Sequence, residues 1–418
     1  MRMTFIALST VLYISVARAA DWPQWRGPNF NGFTDAVGLP DKLDPAGDLL
    51  WSTPLPGGSS SSPVVAGGKI FVSTIDGASR KLLALCLDGK TGKIVWQRSL
   101  GIGYADNERN NLASPSPVAD GKHVWFYFGT GDLACFDADG NAVWSRNIQK
   151  DYGNFSVQWL YASSPLLNDG KLYVQVLHRS EDSYLLILDA MTGKELGRQQ
   201  RPNDAREESK ESYATPIPNQ ASGATEILLI GGDAVTAHDP ANGRELWRFG
   251  GWNPNKINHW RVITSLVAVD GLVIACAPKG GPIMAIKDGG SGDITAAGCA
   301  WSTREISSDV CVPLVMNGDL YVLEGDRRKL LRVEPTTGHV KQSVDLPGSV
   351  FRASPTGADG KIFVINENGD TWTLDAATLK VLSKSSLGGR PSRASIAVAE
   401  GEVIVRTAET VYAFAAGK

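Results

Sequence analysis

The sequence predicts an all-β chain folded as a ring of eight four-stranded antiparallel blades, an eight-bladed β-propeller. Three observations predict it. A turn phrase recurs along the chain, clearest at Leu82–Trp96, where an apolar run, an Asp-Gly-Lys-Thr-Gly turn and a second run ending in Trp form a hairpin. A second marker, a small-residue strand often containing Ser-Pro, precedes each copy. It begins at Ser61, Ala113, Ser163, Ala214, Thr264, Val312, Ala353 and Ala394, a spacing of roughly 41 to 53 residues that suits propeller blades. The last unit stops at Val411-Tyr412-Ala413-Phe414 after its third strand, and Leu49–Thr53 reads as the missing fourth. The two ends would thus close the ring and remove its exposed edges.

Each blade runs from a small inner strand through two apolar strands to an outer strand ending in Trp or a substitute. Small residues suit the crowded axis and large ones the wider gaps outside. The turn phrase identifies a structural docking set: Asp88, Gly92 and Trp96 in blade one, Asp137 and Trp144 in blade two, and Asp239, Gly243 and Trp247 in blade four. Cys86 and Cys135 stand two residues before the turn Asp, where a small buried thiol leaves room for the Trp ring.

Ahead of the ring, residues 1–19 read as a signal peptide. Arg2 precedes an apolar stretch from Phe5 to Val16, and Ala17-Arg18-Ala19 fits a cleavage site. Residues 20–48 read as an extended Trp/Pro/Gly leader lying on the body, and residues 49–418 as a single propeller domain. A net charge of −3 argues against a nucleic-acid binder, and no later apolar run is long enough to span a bilayer. Five cysteines are too few for a disulfide scaffold; Cys276, Cys299 and Cys311 could form one bridge, which spacing leaves open.

The turn phrase resembles the tryptophan-docking motif of the pyrroloquinoline-quinone (PQQ) repeat family, Asp-x-x-Thr-Gly-x-x-x-Trp, most closely at Asp88–Trp96, and the resemblance covers the eight blades. Trp22-Pro23-Gln24-Trp25-Arg26-Gly27-Pro28-Asn29 is similar to the leader of exported PQQ-like propellers of bacteria. The resemblance implies one of two branches, the BamB-like outer-membrane assembly proteins or, more distantly, the quinoprotein alcohol dehydrogenases. Dehydrogenases of that kind carry a vicinal cysteine pair, whereas no two cysteines are adjacent here, and their calcium ligands and catalytic Asp match no motif in this chain. The first cysteine is Cys86, so no lipidated cysteine follows the signal peptide and no lipid anchor is expected. The expectation is an exported non-catalytic binding or scaffolding module of the bacterial cell envelope, periplasmic or secreted and without a cofactor. The alternative is a PQQ-dependent oxidoreductase acting on alcohols or sugars, which would need PQQ with calcium.

Other motifs carry no chemistry. Asp137–Asn141 lacks the terminal Glu of a calcium loop, Gly289–Asp293 reads as a stretched blade-five turn, and the five histidines have no ligand spacing, so no metal site is expected. The functional expectation falls on the connections entering the inner strands, which gather around the axis on one face. Arg352 and Arg393 stand at equivalent places in blades seven and eight, with Arg261 nearby in blade five. Arg109, Trp159, Tyr161, Tyr213 and Trp260 complete a predicted funnel-face set. Arginine among aromatics suits a protein partner or an anionic small molecule.

Overall fold

The computed structural model describes residues 21–103, 105, 107, 109–221, 223–389 and 391–417. The predicted signal peptide lies outside the described residues, as do Tyr104, Asp106 and Glu108 of the loop before blade two. The described residues form eight sheets, antiparallel throughout except for one added parallel pairing in blade four. Blade one is representative, with strands Val64–Ala66, Lys69–Asp76, Lys81–Asp88 and Ile94–Ile102 paired in chain order. Its three-residue inner strand is wholly buried, whereas its outer strand alternates between exposed and covered positions.

Ring closure follows the sequence expectation. Leu49–Pro54 pairs antiparallel with Thr410–Phe414 and completes the blade begun by Ala397–Ala399 and Glu402–Arg406. The core lies between blades: one cluster joins Phe71, Cys86 and Trp96 of blade one to Phe126 and Phe136 of blade two. Apolar side chains on both faces of each sheet need a neighbour, so the stack buries everything only when the circle closes.

The docking phrase links successive blades at the periphery. Asp88 accepts from the Thr91 backbone N–H at 2.8 Å and from its hydroxyl at 2.7 Å, which fixes the turn. Gly140 has φ +81°, and a Cβ there would lie 2.7 Å from the Trp96 ring, so only glycine admits this contact. Trp96 Nε1 donates to Ala138 O at 3.1 Å, and Trp144 Nε1 to Ala190 O at 2.8 Å in the blade after it. Gly92 receives Trp51 from the closing strand in the same way. Cys86 pairs in register with Trp96 and Cys135 with Trp144, and burial pushes both thiols up to about 12. All five cysteines are free, so the suggested bridge is not formed.

Blades three and four depart from this pattern. Gly197 stands where blade three would present its Trp, so Gly243 meets Ile187 and Gln199 instead. Trp247 donates within its own blade, to Glu226 Oε2 at 2.9 Å. The turn it would have met in blade five is the glycine-rich stretch, which crosses to blade four; there Gly292–Asp293 pairs parallel with Trp247–Arg248 as a fifth strand. Trp252, in the connection from blade four to blade five, is fully buried; its ring centroid lies 6.5 Å from that of Trp260, within the cluster between blades four and five.

The leader crosses the axis. Trp22 forms a bridge with Val65 of blade one, and Pro23 O accepts from Ala119 N of blade two. Arg26 then reaches Pro313 O of blade six at 2.9 Å and Pro355 O of blade seven at 2.8 Å. Asn31 and Gly32 continue along blades six and seven before the chain enters its closing strand. Residues 21–34 therefore plug the channel at the end opposite the functional face. Gly32, with φ +82°, leaves the room the Arg26 guanidinium occupies.

Candidate functional site

A cavity of about 520 Å³ opens around the axis on the predicted face. The connections entering each inner strand and the hairpins between second and third strands supply its wall. Arg109, Trp159, Tyr213, Arg261, Arg352 and Arg393 all line it, as expected. Tyr161 and Trp260 do not. Side chains alternate sides along an extended segment, so Ala162 and Ser164 face the cavity while Tyr161 turns into the blade interior. There the Tyr161 hydroxyl donates to Gln175 O, and its ring lies 5.3 Å from Tyr127. The same alternation presents Arg261 and Ile263 to the cavity and buries Trp260.

The arginines that symmetry brings together are not free. Arg352 Nη2 lies 2.7 Å from Asp326, and Arg393 Nε lies 2.6 Å from Glu367. Both acids sit two residues past the second strand of the preceding blade, so the same inter-blade pair is made twice, between blades six and seven and between blades seven and eight. Arg261 lies between Glu208 at 3.4 Å and Asp309 at 3.5 Å, and Lys279 approaches Glu208 at 3.6 Å. Arg261 Nη1 and Asp309 Oδ1 are both buried without a hydrogen bond. The exposed Arg109 has no acid partner among the described residues, and its guanidinium lies 5.8 Å from the centroid of Trp159. Trp159 is held by Nε1 donating to Glu208 at 3.0 Å and by its N–H on the Tyr213 hydroxyl at 3.1 Å. Burial beside Glu211 raises the Tyr213 phenol, which stays protonated and donates to that carboxylate.

Sequence reasoning missed the acids Glu208, Asp326 and Glu367 and the floor residue Trp25. The acids sit in a loop and at hairpin tips that the repeat does not mark. Trp25 lines the cavity and donates through Nε1 to Ser395 Oγ at 3.3 Å. Its Trp-Arg pairing with Arg26 was visible, but nothing in the sequence marks the axis as its destination.

The donor set was tested against the quinone cofactor of the dehydrogenase branch. Among the described residues no group of three His, Cys, Asp or Glu could hold a metal ion, and the cavity's acids each face a fixed cation. With each cavity acid so engaged, no step is derived through a calcium-bound quinone.

Comparison with known proteins agrees with the architecture. The solved structures similar to this chain include a quinohemoprotein alcohol dehydrogenase from Comamonas testosteroni, with a TM-score of 0.68 at 13% identity over 97% of this chain and 82% of that one. A europium-containing methanol dehydrogenase gives 0.70 at 10% identity, covering 94% and 90%. BamB from Moraxella catarrhalis gives 0.63 at 15%, covering 88% and 99%. At such identities these likenesses establish the fold alone. A sequence search of curated proteins gave no match. The family model described as outer membrane protein assembly factor BamB matches residues 42–218, 156–344 and 231–418, so between them the matches span every blade. The chain belongs to that family.

Proposed function

We propose that this protein is an exported, non-catalytic binding module of the bacterial cell envelope that engages a protein partner at its funnel mouth. The observation that carries the proposal is the Arg109–Trp159 pair, an exposed guanidinium over an indole, beside paired charges of both signs. Arg and Trp with a polar surround are the composition of an interface hot spot. Fixed ion pairs also keep the mouth polar and pre-formed, which lowers the ordering cost of docking. Membership of a family named for an outer membrane assembly factor supports a protein partner over a small substrate. Among the described residues no helix is long and apolar enough to cross a membrane.

The test places a photo-crosslinking residue at position 109 and, as control, at exposed Val95 on the outer strand of blade one. The expected result is a discrete envelope-protein adduct from position 109 alone, weakened by Trp159→Ala. The same adducts from both positions would refute the mouth as the docking site. In a second arm, stoichiometric uptake of PQQ with calcium and dye-linked alcohol oxidation would replace this reading with the oxidoreductase.

A further inference from the structure

Beneath the ion pairs, the inner strands present a ring of hydroxyls. Seven blades carry one at the same place: Ser62, Ser116, Ser164, Thr215, Ser265, Ser354 and Ser395, with Val312 standing in blade six. Each hydroxyl oxygen accepts the backbone N–H of the equivalent residue one blade earlier. Ser62 N reaches Ser116 Oγ at 3.0 Å, Ser116 N reaches Ser164 Oγ at 2.9 Å, and Ser395 N closes the circle on Ser62 Oγ at 2.9 Å. The remaining links have the same form: Ser164 to Thr215, Thr215 to Ser265, Val312 to Ser354, and Ser354 to Ser395.

A hydroxyl has one proton and two lone pairs. The ring uses lone pairs and leaves the protons, because none of these hydroxyls donates a hydrogen bond among the described residues. Ser395 Oγ accepts from both Ser354 N and Trp25 Nε1, so only its O–H remains. All of the ring except Ser265 lines the cavity. Unused O–H protons therefore gather at one level of the axis, while the carboxylates of the same cavity are engaged by Arg261, Arg352 and Arg393.

The charge below them has the matching sign. Arg26 is buried, and its hydrogen-bond partners are three carbonyls, on Asn31, Pro313 and Pro355. No carboxylate pairs with it among the described residues, and its Nε has no partner. Pro313 and Pro355 directly follow the ring positions Val312 and Ser354, which puts this charge beneath the cavity, behind the Trp25 that lines it. Burial lowers the guanidinium to about 9, which still leaves it charged at neutral pH. An uncompensated buried cation under a circle of O–H donors produces a positive, poorly screened potential along the axis.

We propose that the hydroxyl ring, closed below by Trp25 and biased by the Arg26 charge buried behind it, binds the oxyanion head of a small molecule: a sulfate, phosphate or carboxylate. This site lies deeper than the protein-docking mouth and does not depend on that reading. Blade six adds no donor, because Val312 carries none.

The test is calorimetric titration of the full mature protein with sodium sulfate, inorganic phosphate and sodium acetate, at constant ionic strength made up with chloride. At least one of the three is expected to saturate a single site, and the oxyanion preferred identifies the head group. Arg26→Met is expected to weaken it by about tenfold or more. Should that variant fail to fold, Ser116→Ala with Ser164→Ala removes two of the donors, and Ser116→Thr with Ser164→Thr restores them and the affinity. Lys93→Ala, on an exposed turn at the edge of blade one, leaves the affinity within about threefold. Absence of saturable binding by all three probes would overturn the proposal. Binding indifferent to both the Arg26 and the alanine ring variants, or equally weakened by Lys93→Ala, would also overturn it.

Discussion

At the edge of blade one, Trp96 lies flat on Gly140 of the next blade, 5% exposed and surrounded by Phe71, Phe126 and Phe136. At the axis between blades six and seven, Arg352 reaches Asp326, which is 60% exposed. Both contacts join neighbouring blades, and they differ in what surrounds them. The girdle excludes water, so its cohesion comes from apolar area and close packing. The funnel is open, so an outward pair such as Arg352–Asp326 is solvated and contributes little stability. The girdle holds the ring together and leaves the funnel free to vary and to bind.

The most severe test of this contrast removes residues 1–53. Blade eight would lose its outer strand, exposing the edge of Thr410–Phe414, and the channel would lose its plug. The expected result is loss of the cooperative melt with aggregation, followed by circular dichroism and light scattering. A truncated protein that melts like the parent would sink the closure assignment.

Next come the girdle tryptophans. Trp96→Ala is expected to cost roughly 3–5 kcal/mol. Trp252→Ala is expected to cost the same, roughly 3–5 kcal/mol, since that ring is fully buried rather than on an exposed rim. Chemical denaturation measures both, and a near-neutral effect at either position would place that ring outside the load it is assigned here.

A smaller effect separates the regions by pH. His238, in the third strand of blade four, is buried between Gly243 O at 2.8 Å and Thr236 Oγ1 at 2.9 Å, and burial holds its imidazole down at about 4. The unfolded chain takes up the proton near its ordinary value of 6.5, where the folded chain does not. Stability from this group is therefore complete above pH 6.5 and lost as the pH falls toward 4, by an amount on the order of 2–3 kcal/mol. His238→Gln should flatten that slope in melting curves taken between those values. An unchanged slope would mean that the acid sensitivity lies elsewhere.

The smallest expected change is at the funnel. Arg352→Ala with Arg393→Ala should shift stability by no more than about 1 kcal/mol, since both pairs are partly solvated. A large drop in melting temperature would make these arginines staples of the ring, and the contrast between girdle and funnel would fail.

The girdle was legible before any coordinates, because docking is local. Asp, Thr, Gly and Trp within nine residues fix a turn and its plug, and the same solution recurs from blade to blade. Its exceptions were not legible: Trp247 turns to Glu226 because the blade-five turn has crossed over to pair with Trp247 and Arg248. The funnel was read in part. Arg352 and Arg393 were placed by symmetry, while Tyr161 and Trp260 were taken for lining and are packed inside, a difference of one residue in register.

By itself the sequence determined the number of blades, the strand order within them and the joining of the two ends, since each follows from repeat period and turn chemistry. Only the tertiary structure decided that the arginines meet Asp326, Glu367 and Glu208, that Trp25 and Arg26 floor the channel, and that Ser62 through Ser395 form one circle of hydroxyls. Those contacts join residues tens to hundreds of positions apart in the chain. Nothing local dictates them: they exist because eight blades closing on one axis bring eight loops to the same place.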